Sequence, residues 1–392
     1  MGKLIMSSAF NADRFITDRL RAIDASGIRK VFDLAANLKD PVNLSIGQPD
    51  FDVPQDIKQA AIDAIEKGVN RYTVTQGLKE LQAKVNSQIE TEFPAWKGTG
   101  YGNLITSGVS GGLLLALMTC AGPGDEIIMA DPYFVMYRHL VTLAGAKAVY
   151  VDTYPDFQLT AARIEPLITP RTKMILFNSP SNPTGVVATE QVCKEVVELA
   201  EKHNILLLSD EIYDEFCYEK VARPAGKPRC PSPASYSPNV LLMRGFSKTY
   251  GMTGWRLGYT VGPKAIVEQM TKLQQYSFVC APSMVQVSGI TALDTDMDPH
   301  VEQYRKKRDM VVDQLKGVYN LATPGGAFYA FPEVPQHLGL TATKFCEKAI
   351  ANNLLIIPGS VFSNRDTHFR ISYACDNNML QRGLDILLQL AK

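Results

Sequence analysis

The chain has 392 residues, 46% hydrophobic and 20% charged, a composition ordinary for a soluble globular protein and a length beyond one hydrophobic core. Its 40 basic residues balance 40 acidic ones, so it lacks the basic excess of a nucleic-acid binder. The 7 cysteines are scattered without a CxxC pair and the 5 histidines show no ligand spacing, so neither a disulfide framework nor a metal site is expected. The opening MGKLIMSSAFNADRF has no apolar core of signal-peptide length. The longest apolar run, 113–121, is too short to span a bilayer. A cytoplasmic protein without membrane or nucleic-acid partners is expected.

Residues 13–37 read as a helix, with Ile16, Leu20, Ile23, Ile28, Val31 and Leu34 at near-helical spacing. Residues 42–54 begin as a strand and end in an extended loop, because Pro49 and Pro54 restrict the residues before them. Gly47 there marks either a bend in a connector or a place where substrate meets the backbone closely. Helices over 56–67 and 78–89 bracket a loop, 68–77. In that loop Tyr72 is a packing cover or a contact to ligand or partner.

From residue 103 the pattern changes. Apolar runs at 103–106, 126–130, 148–151, 173–178, 205–209, 240–243 and 257–261 alternate with helical segments such as 190–203, for which Thr189 is an N-cap. The continuous, β-branched or leucine-rich runs suit strands buried on both faces. Such alternation predicts an α/β fold, a mostly parallel sheet with helices on both sides, and ligands bound beyond the carboxyl ends of the strands.

The residues at those ends carry chemistry. Residues 107–112 (SGVSGG) open a helix; they are a plain glycine turn or an anion site of freed amides, to which Ser110 adds a hydroxyl. Tyr133 and Phe134 follow the next run, as core packing or as a ring stacked on a flat cofactor. Asn182 precedes Pro183 in a turn, and its amide could also donate to a phenolate oxygen. Asp210, after an apolar run and ahead of Tyr213, is a helix cap or the buried partner of a cation such as a protonated ring nitrogen. Lys248 sits on a connection with Gly245, Gly251 and Gly254, flanked by small residues; such a lysine can stay neutral long enough to attack a carbonyl. Arg256 can hold a phosphate by its planar fork. A phosphorylated aldehyde, pyridoxal phosphate, has a use for all five strand ends.

Beyond these lie a Pro- and Ser-rich loop, 222–238, a helix over 262–273 and a charge run at 304–309 on the solvated face of a long helix. Short strands at 323–331, 354–360 and 368–373 and a helix at 380–391 make a second, α+β domain. Arg370 is an exposed arginine on an alternating strand or a clamp for a carboxylate.

The segments NLSIGQPDFDVP (43–54), RYTVTQG (71–77), DPYFVMY (131–137), NSPSNPTG (178–185), SDEIYDEF (209–216), SKTYGMTGWRLGY (247–259), PGGAFYAF (324–331) and FRISYA (369–374) together resemble a known family. It is the class I/II, fold type I, pyridoxal-phosphate-dependent aminotransferases, in the aspartate and aromatic branch. The resemblance covers nearly the whole chain. It implies a seven-stranded, mostly parallel sheet and three stretches: 1–48 (arm and part of a small domain), 49–290 (large cofactor domain) and 291–392 (the rest of the small domain). It implies that Lys248 holds the cofactor as a Schiff base and shuttles the proton. Asp210 would pair with the ring nitrogen, Tyr213 and Asn182 with the ring oxygen, and Phe134 would stack on the ring. Val109, Ser110, Ser247 and Arg256 would hold the phosphate. Arg370, helped by Asn182 and Gly47, would clamp the carboxylate of an amino acid or 2-oxo acid. Tyr72 would reach the phosphate of a second copy, making a homodimer with shared sites.

Two departures stand out. Gly245 replaces a serine that many members carry three positions before the lysine, which removes one phosphate hydroxyl, and 108–112 is unusually glycine-rich. No second clamp for a side-chain carboxylate can be assigned. Two other functions use the same scaffold. A β-lyase or cyclopropane-forming synthase needs no acceptor 2-oxo acid. A regulatory cofactor-binding module carries a DNA-binding region ahead of the fold, whereas the motifs here begin at Asn43.

Overall fold

The computed structural model describes residues 10–24, 38–222 and 227–392. In chain order the strands are β1 (Val42–Asn43), β2 (Gly102–Thr106), β3 (Glu126–Asp131), β4 (Lys147–Asp152), β5 (Thr172–Asn178), β6 (Leu206–Asp210), β7 (Leu241–Gly245), β8 (Gly258–Gly262), β9 (Tyr329–Ala330), β10 (Leu354–Leu355), β11 (Ile357–Pro358) and β12 (Phe369–Ser372). The seven apolar runs that alternate with helices are the seven strands of one sheet, their ends shifted by one or two residues. Its order is β2-β8-β7-β6-β5-β3-β4. The five strands from β7 to β4 run parallel, and β8 runs against both of its neighbours.

Both faces of this sheet are covered. On β5, Met174 and Leu176 pack with the helix Gly108–Cys120, and Ile175 and Phe177 pack on the other side with the helix Glu190–Lys202. That is why β5 reads as a continuous apolar run: successive side chains point to opposite faces, and neither face meets water. Each such side chain contributes roughly 1.5–3 kcal/mol by leaving water. The helix Gly108–Cys120 starts at Gly108, straight after β2, so the glycine-rich run lies inside its first turn.

A second body of structure packs beside the sheet. β1 pairs in parallel with β10, and β11, β12 and β9 form a three-stranded antiparallel sheet. The expected strand over 354–360 is therefore two short ones that serve different sheets, with Ile356 between them. The expected strand over 323–331 shrinks to Tyr329–Ala330, because Pro324, Gly325 and Gly326 do not sustain a ladder.

Other expectations change too. In the described part of 13–37 there are two separate turns, Ala12–Phe15 and Asp18–Arg21, with extended backbone at Ile16 and Thr17; the rest of that predicted helix lies outside the described residues. Neither turn buries a residue, and a short helix without burial has little to hold it. The charge run in the helix Asp298–Leu315 is not wholly solvated. Tyr304 and Lys307, one turn apart, face inward; the tyrosine hydroxyl and the lysine ammonium both bind Asp50 and pin the 47–54 loop. Residues 230–234 and 237 of the predicted surface loop are likewise buried. Trp96 Nε1 donates to Ala234 O at 2.8 Å, and Ser232 Oγ donates to Glu211 Oε1 at 2.6 Å. No helix among the described residues is long and apolar enough to cross a membrane.

Behind the strand ends lies a buried charged cluster. Arg244 on β7 reaches Glu92 at 2.6 Å, Glu211 at 2.8 Å and Asp214 at 3.2 Å. Burial holds the Glu211 and Asp214 carboxyls above their ordinary range, and the guanidinium offsets only part of that rise. Arg244→Met leaves three buried acids without their shared cation. In urea titrations it should lower the unfolding free energy by about 3–5 kcal/mol. A loss below about 1 kcal/mol would mean that the acids are already neutral and the cluster stabilises nothing.

Candidate active site

The parallel strands deliver their last residues to one level. Asn178 on β5 pairs in register with Asp210 on β6, and Asp210 with Met243 on β7. Above these ends is a cavity of about 230 Å³. Eleven predicted site residues line it: Gly47, Val109, Ser110, Phe134, Asn182, Asp210, Tyr213, Ser247, Lys248, Arg256 and Arg370. Tyr72 does not; it is 84% exposed.

Lys248 Nζ donates to Gly47 O at 2.6 Å, so the 47–54 loop meets the lysine as well as facing the cavity. Burial, then the charges of Arg370 and Arg256, lower the amine to about 8, against the opposing pull of Asp210. At pH 7 about a tenth of it is neutral, compared with roughly 0.03% at the ordinary value of 10.5. Gly47 has a second constraint: a Cβ there would lie 2.9 Å from the Tyr329 hydroxyl. That hydroxyl is hydrogen-bonded to Tyr213 Oη at 3.0 Å.

Asp210 is fully buried, and burial raises its carboxyl to about 6 despite hydrogen bonds from Tyr137 and the Ile212 amide and the charge of Lys248. Arg370 is 1% exposed. Its Nη1 donates to Asn182 Oδ1 at 3.0 Å and its Nη2 to Ser45 O at 2.8 Å. Its guanidinium lies 4.6 Å from the Tyr329 ring centroid and 4.8 Å from that of Phe362. Nε has no hydrogen-bond partner, and no carboxylate among the described residues pairs with this arginine. The exposed-arginine reading of position 370 is thereby excluded. A buried cation resting only on neutral acceptors is set to receive an anion.

At the other end, Arg256 holds a left-handed backbone (φ 57°, ψ 55°), which costs a non-glycine residue about 1–2 kcal/mol. Its Nη1 donates to Thr253 O at 2.9 Å. Beside it, a Cβ at Gly258 would stand 2.7 Å from the Gly108 carbonyl carbon and 2.8 Å from the Val109 nitrogen. Glycine at 258 is what lets β8 touch the first turn of the helix Gly108–Cys120, where Val109 and Ser110 line the cavity with Arg256. Gly245 is also tight: a Cβ there would lie 3.0 Å from Val109 Cγ2 and 3.1 Å from Ile212 Cδ1. The missing serine hydroxyl is thus replaced by close packing against Val109.

Residues 39–387 match the family described as Aminotransferase class I and II. The chain belongs to the class I and II aminotransferases. It is 34% identical over 386 residues to a probable aspartate aminotransferase of Methanocaldococcus jannaschii, covering 96% of this chain and 99% of that one. It is 33% identical over 388 residues to aromatic-amino-acid aminotransferase 2 of Thermococcus litoralis, covering 96% and 98%. A structure of Thermus thermophilus aspartate aminotransferase with maleate superposes with a TM-score of 0.87 at 30% identity, covering 96% of this chain and 99% of that one. The aminotransferase is therefore an enzyme that transfers amino groups between amino acids and 2-oxo acids with pyridoxal 5′-phosphate. The donor set fits that cofactor: the Lys248 amine held partly neutral, the buried Asp210 carboxyl, and Arg256 with Ser110 and Ser247 for a phosphate, all lining one cavity.

The aminotransferase site also contains residues that the sequence did not single out as functional. Tyr137 donates to Asp210 Oδ2 at 2.8 Å, and Asn178 Nδ2 donates to the Asp210 carbonyl at 2.9 Å. Tyr329, Leu113, Ile212 and Thr253 complete the lining. Tyr137 had a sequence signal, a second aromatic three positions after Phe134, but its partner is 73 residues away.

In the protein stripped of cofactor, the reactivity of Lys248 towards an amine-directed acylating reagent should rise with pH and inflect near 8, as the ammonium loses its proton. Arg370→Gln removes a repelling charge, so the inflection should move up. Peptide mapping of the labelled lysine as a function of pH gives both curves; an unmoved inflection means the two groups are not coupled.

Proposed function

We propose that Lys248 is the amine that captures the cofactor aldehyde and then carries the proton during transamination. Its neutral fraction accepts a proton from the substrate Cα, and the Gly47 carbonyl 2.6 Å away orients Nζ for the exchange. When bound, pyridoxal phosphate supplies an electron sink for the bonds at Cα. In this reading Asp210 faces the ring nitrogen, Tyr213 and Asn182 the ring oxygen, and Phe134 stacks on the ring. Arg256, Ser247, Ser110 and the Val109 amide hold the phosphate. Arg370 clamps the substrate carboxylate with help from Asn182 and the Gly47 backbone. The observation that carries the reading is the meeting in one cavity of Lys248, its amine lowered, with Asp210 and an Arg370 that pairs with no carboxylate among the described residues.

The cations lining the cavity are Lys248, Arg256 and Arg370, and each already has a task. The reading therefore carries no preference for dicarboxylate substrates. It divides the chain into 1–48, 49–290 and 291–392, with the first and last stretches building a small domain; the pairing of β1 with β10 supports that division. It also makes the enzyme a cytoplasmic homodimer in which Tyr72 reaches the phosphate of a second copy. In support, Ile62, Ile65, Tyr72 and Val74 are exposed along the helix Gln55–Glu66 and the loop after it.

Lys248→Ala should abolish the visible absorption band of the bound cofactor and lower turnover by roughly 10³-fold or more, because attachment and proton transfer are lost together. Turnover that survives with the band absent removes Lys248 from the mechanism. Arg370→Met should reduce kcat/KM by about 10²-fold for amino acid and 2-oxo acid alike while leaving cofactor affinity nearly unchanged. A panel of amino donors followed in single turnovers then gives the substrate range.

A further inference from the structure

We propose that Tyr137 is a positioning residue that keeps the Asp210 carboxylate aimed into the cofactor cavity and sets how cofactor affinity varies with pH. The inference rests on the reading of Asp210 as the partner of the cofactor's ring nitrogen. The helix Met136–Ala144 begins just past the mouth of β3, and its first turn sets Tyr137 edge-on to Phe134, 5.5 Å between centroids at 85°. The Tyr137 ring is 2% exposed, and its hydroxyl meets Asp210 Oδ2 at 2.8 Å. Oδ1 has a separate donor, the Ile212 amide at 3.2 Å. Asn178 holds the Asp210 main chain through its carbonyl, at 2.9 Å. Deleting the tyrosine hydroxyl therefore frees one carboxylate oxygen and leaves the backbone anchored.

The titratable groups around this carboxylate are Tyr137 from the helix, Tyr213 from the turn after β6, and Lys248 from the connection after β7. Burial and the charge of Asp210 hold the Tyr137 phenol far above its ordinary range, so it remains a donor at every working pH. A permanent donor favours the ionised carboxylate. Beside a protonated ring nitrogen Asp210 would be ionised, so the bound pair would share one proton. A protein that starts with Asp210 protonated must release one before a protonated ring can dock. A charge-assisted hydrogen bond changes the ionisation constant of its acceptor by about 10- to 100-fold, so without Tyr137 the carboxyl, now at about 6, should titrate roughly one to two units higher.

The test is titration of the full-length protein, stripped of cofactor, with pyridoxal phosphate, followed by absorbance between pH 6 and 9. Tyr137→Phe removes one oxygen, and circular dichroism confirms the fold. The expected Kd of Tyr137→Phe is roughly 5- to 10-fold weaker than that of the parent at pH 6.5 and within about twofold by pH 9. In an Asp210→Asn background the same substitution should change Kd by less than about twofold at every pH. A Tyr137→Phe penalty that is absent, constant across pH, or undiminished beside Asp210→Asn overturns the inference and leaves the Asp210 assignment standing. If Asp210→Asn itself binds the cofactor like the parent, the assignment of Asp210 falls and the inference falls with it.

Discussion

The structure depends on a charge balance around one amine. Lys248 lies in a cavity that penalises its ammonium, faced by the like charges of Arg370 and Arg256 and, among the described residues, by the acid Asp210. Arg370 can repel it because no carboxylate among the described residues pairs with Arg370. Its partners are the Ser45 carbonyl, the Asn182 amide oxygen and the faces of Tyr329 and Phe362, all uncharged. A carboxylate beside that arginine would return the lysine part of the way towards its ordinary basicity. The same cation thus lowers the amine at 248 and, in the proposed reading, stands ready for an anion at 370.

The rest of the fold keeps those charges where they are. The register of β5, β6 and β7 puts Asn178 and Asp210 at one level, and a slip of a single residue would turn Asp210 away from the cavity. Directly behind, Arg244 ties β7 to Glu211, the residue after Asp210, and to Glu92 on the helix Lys79–Glu92. Ser209 and Ser232 complete the bonding of Glu211. On the open side, Asp50 moors the 47–54 loop to Tyr304 and Lys307, which in turn fixes the Gly47 carbonyl against Lys248.

The end of the cavity at Arg256 is built on missing side chains. Gly258 lets β8 come within contact of the backbone at 108 and 109, and Arg256 accepts a left-handed backbone beside that contact. Unusual backbone at a charged residue is a common mark of a functional site. Gly245 belongs to the same economy of space: Val109 and Ile212 occupy the room that a longer side chain there would need.

Local pattern was enough to locate much of this. The seven apolar runs became the seven sheet strands because a strand buried on both faces announces itself in a handful of consecutive residues. Lys248, Asp210 and Asn182 were legible because polar residues at or soon after the ends of such runs emerge at the carboxyl edge of a parallel sheet, and Arg256 because it shares the connection of Lys248. Fold and chemistry class were therefore in the sequence itself. Only the tertiary structure decided that Arg370 is buried and unpaired, that Tyr137 meets Asp210, and that Tyr304 and Lys307 turn inward. Those outcomes rest on contacts between residues 188, 73, 254 and 257 positions apart. No local periodicity encodes such a distance: whether a polar side chain meets water, a partner or an empty cavity is settled by which elements pack against it.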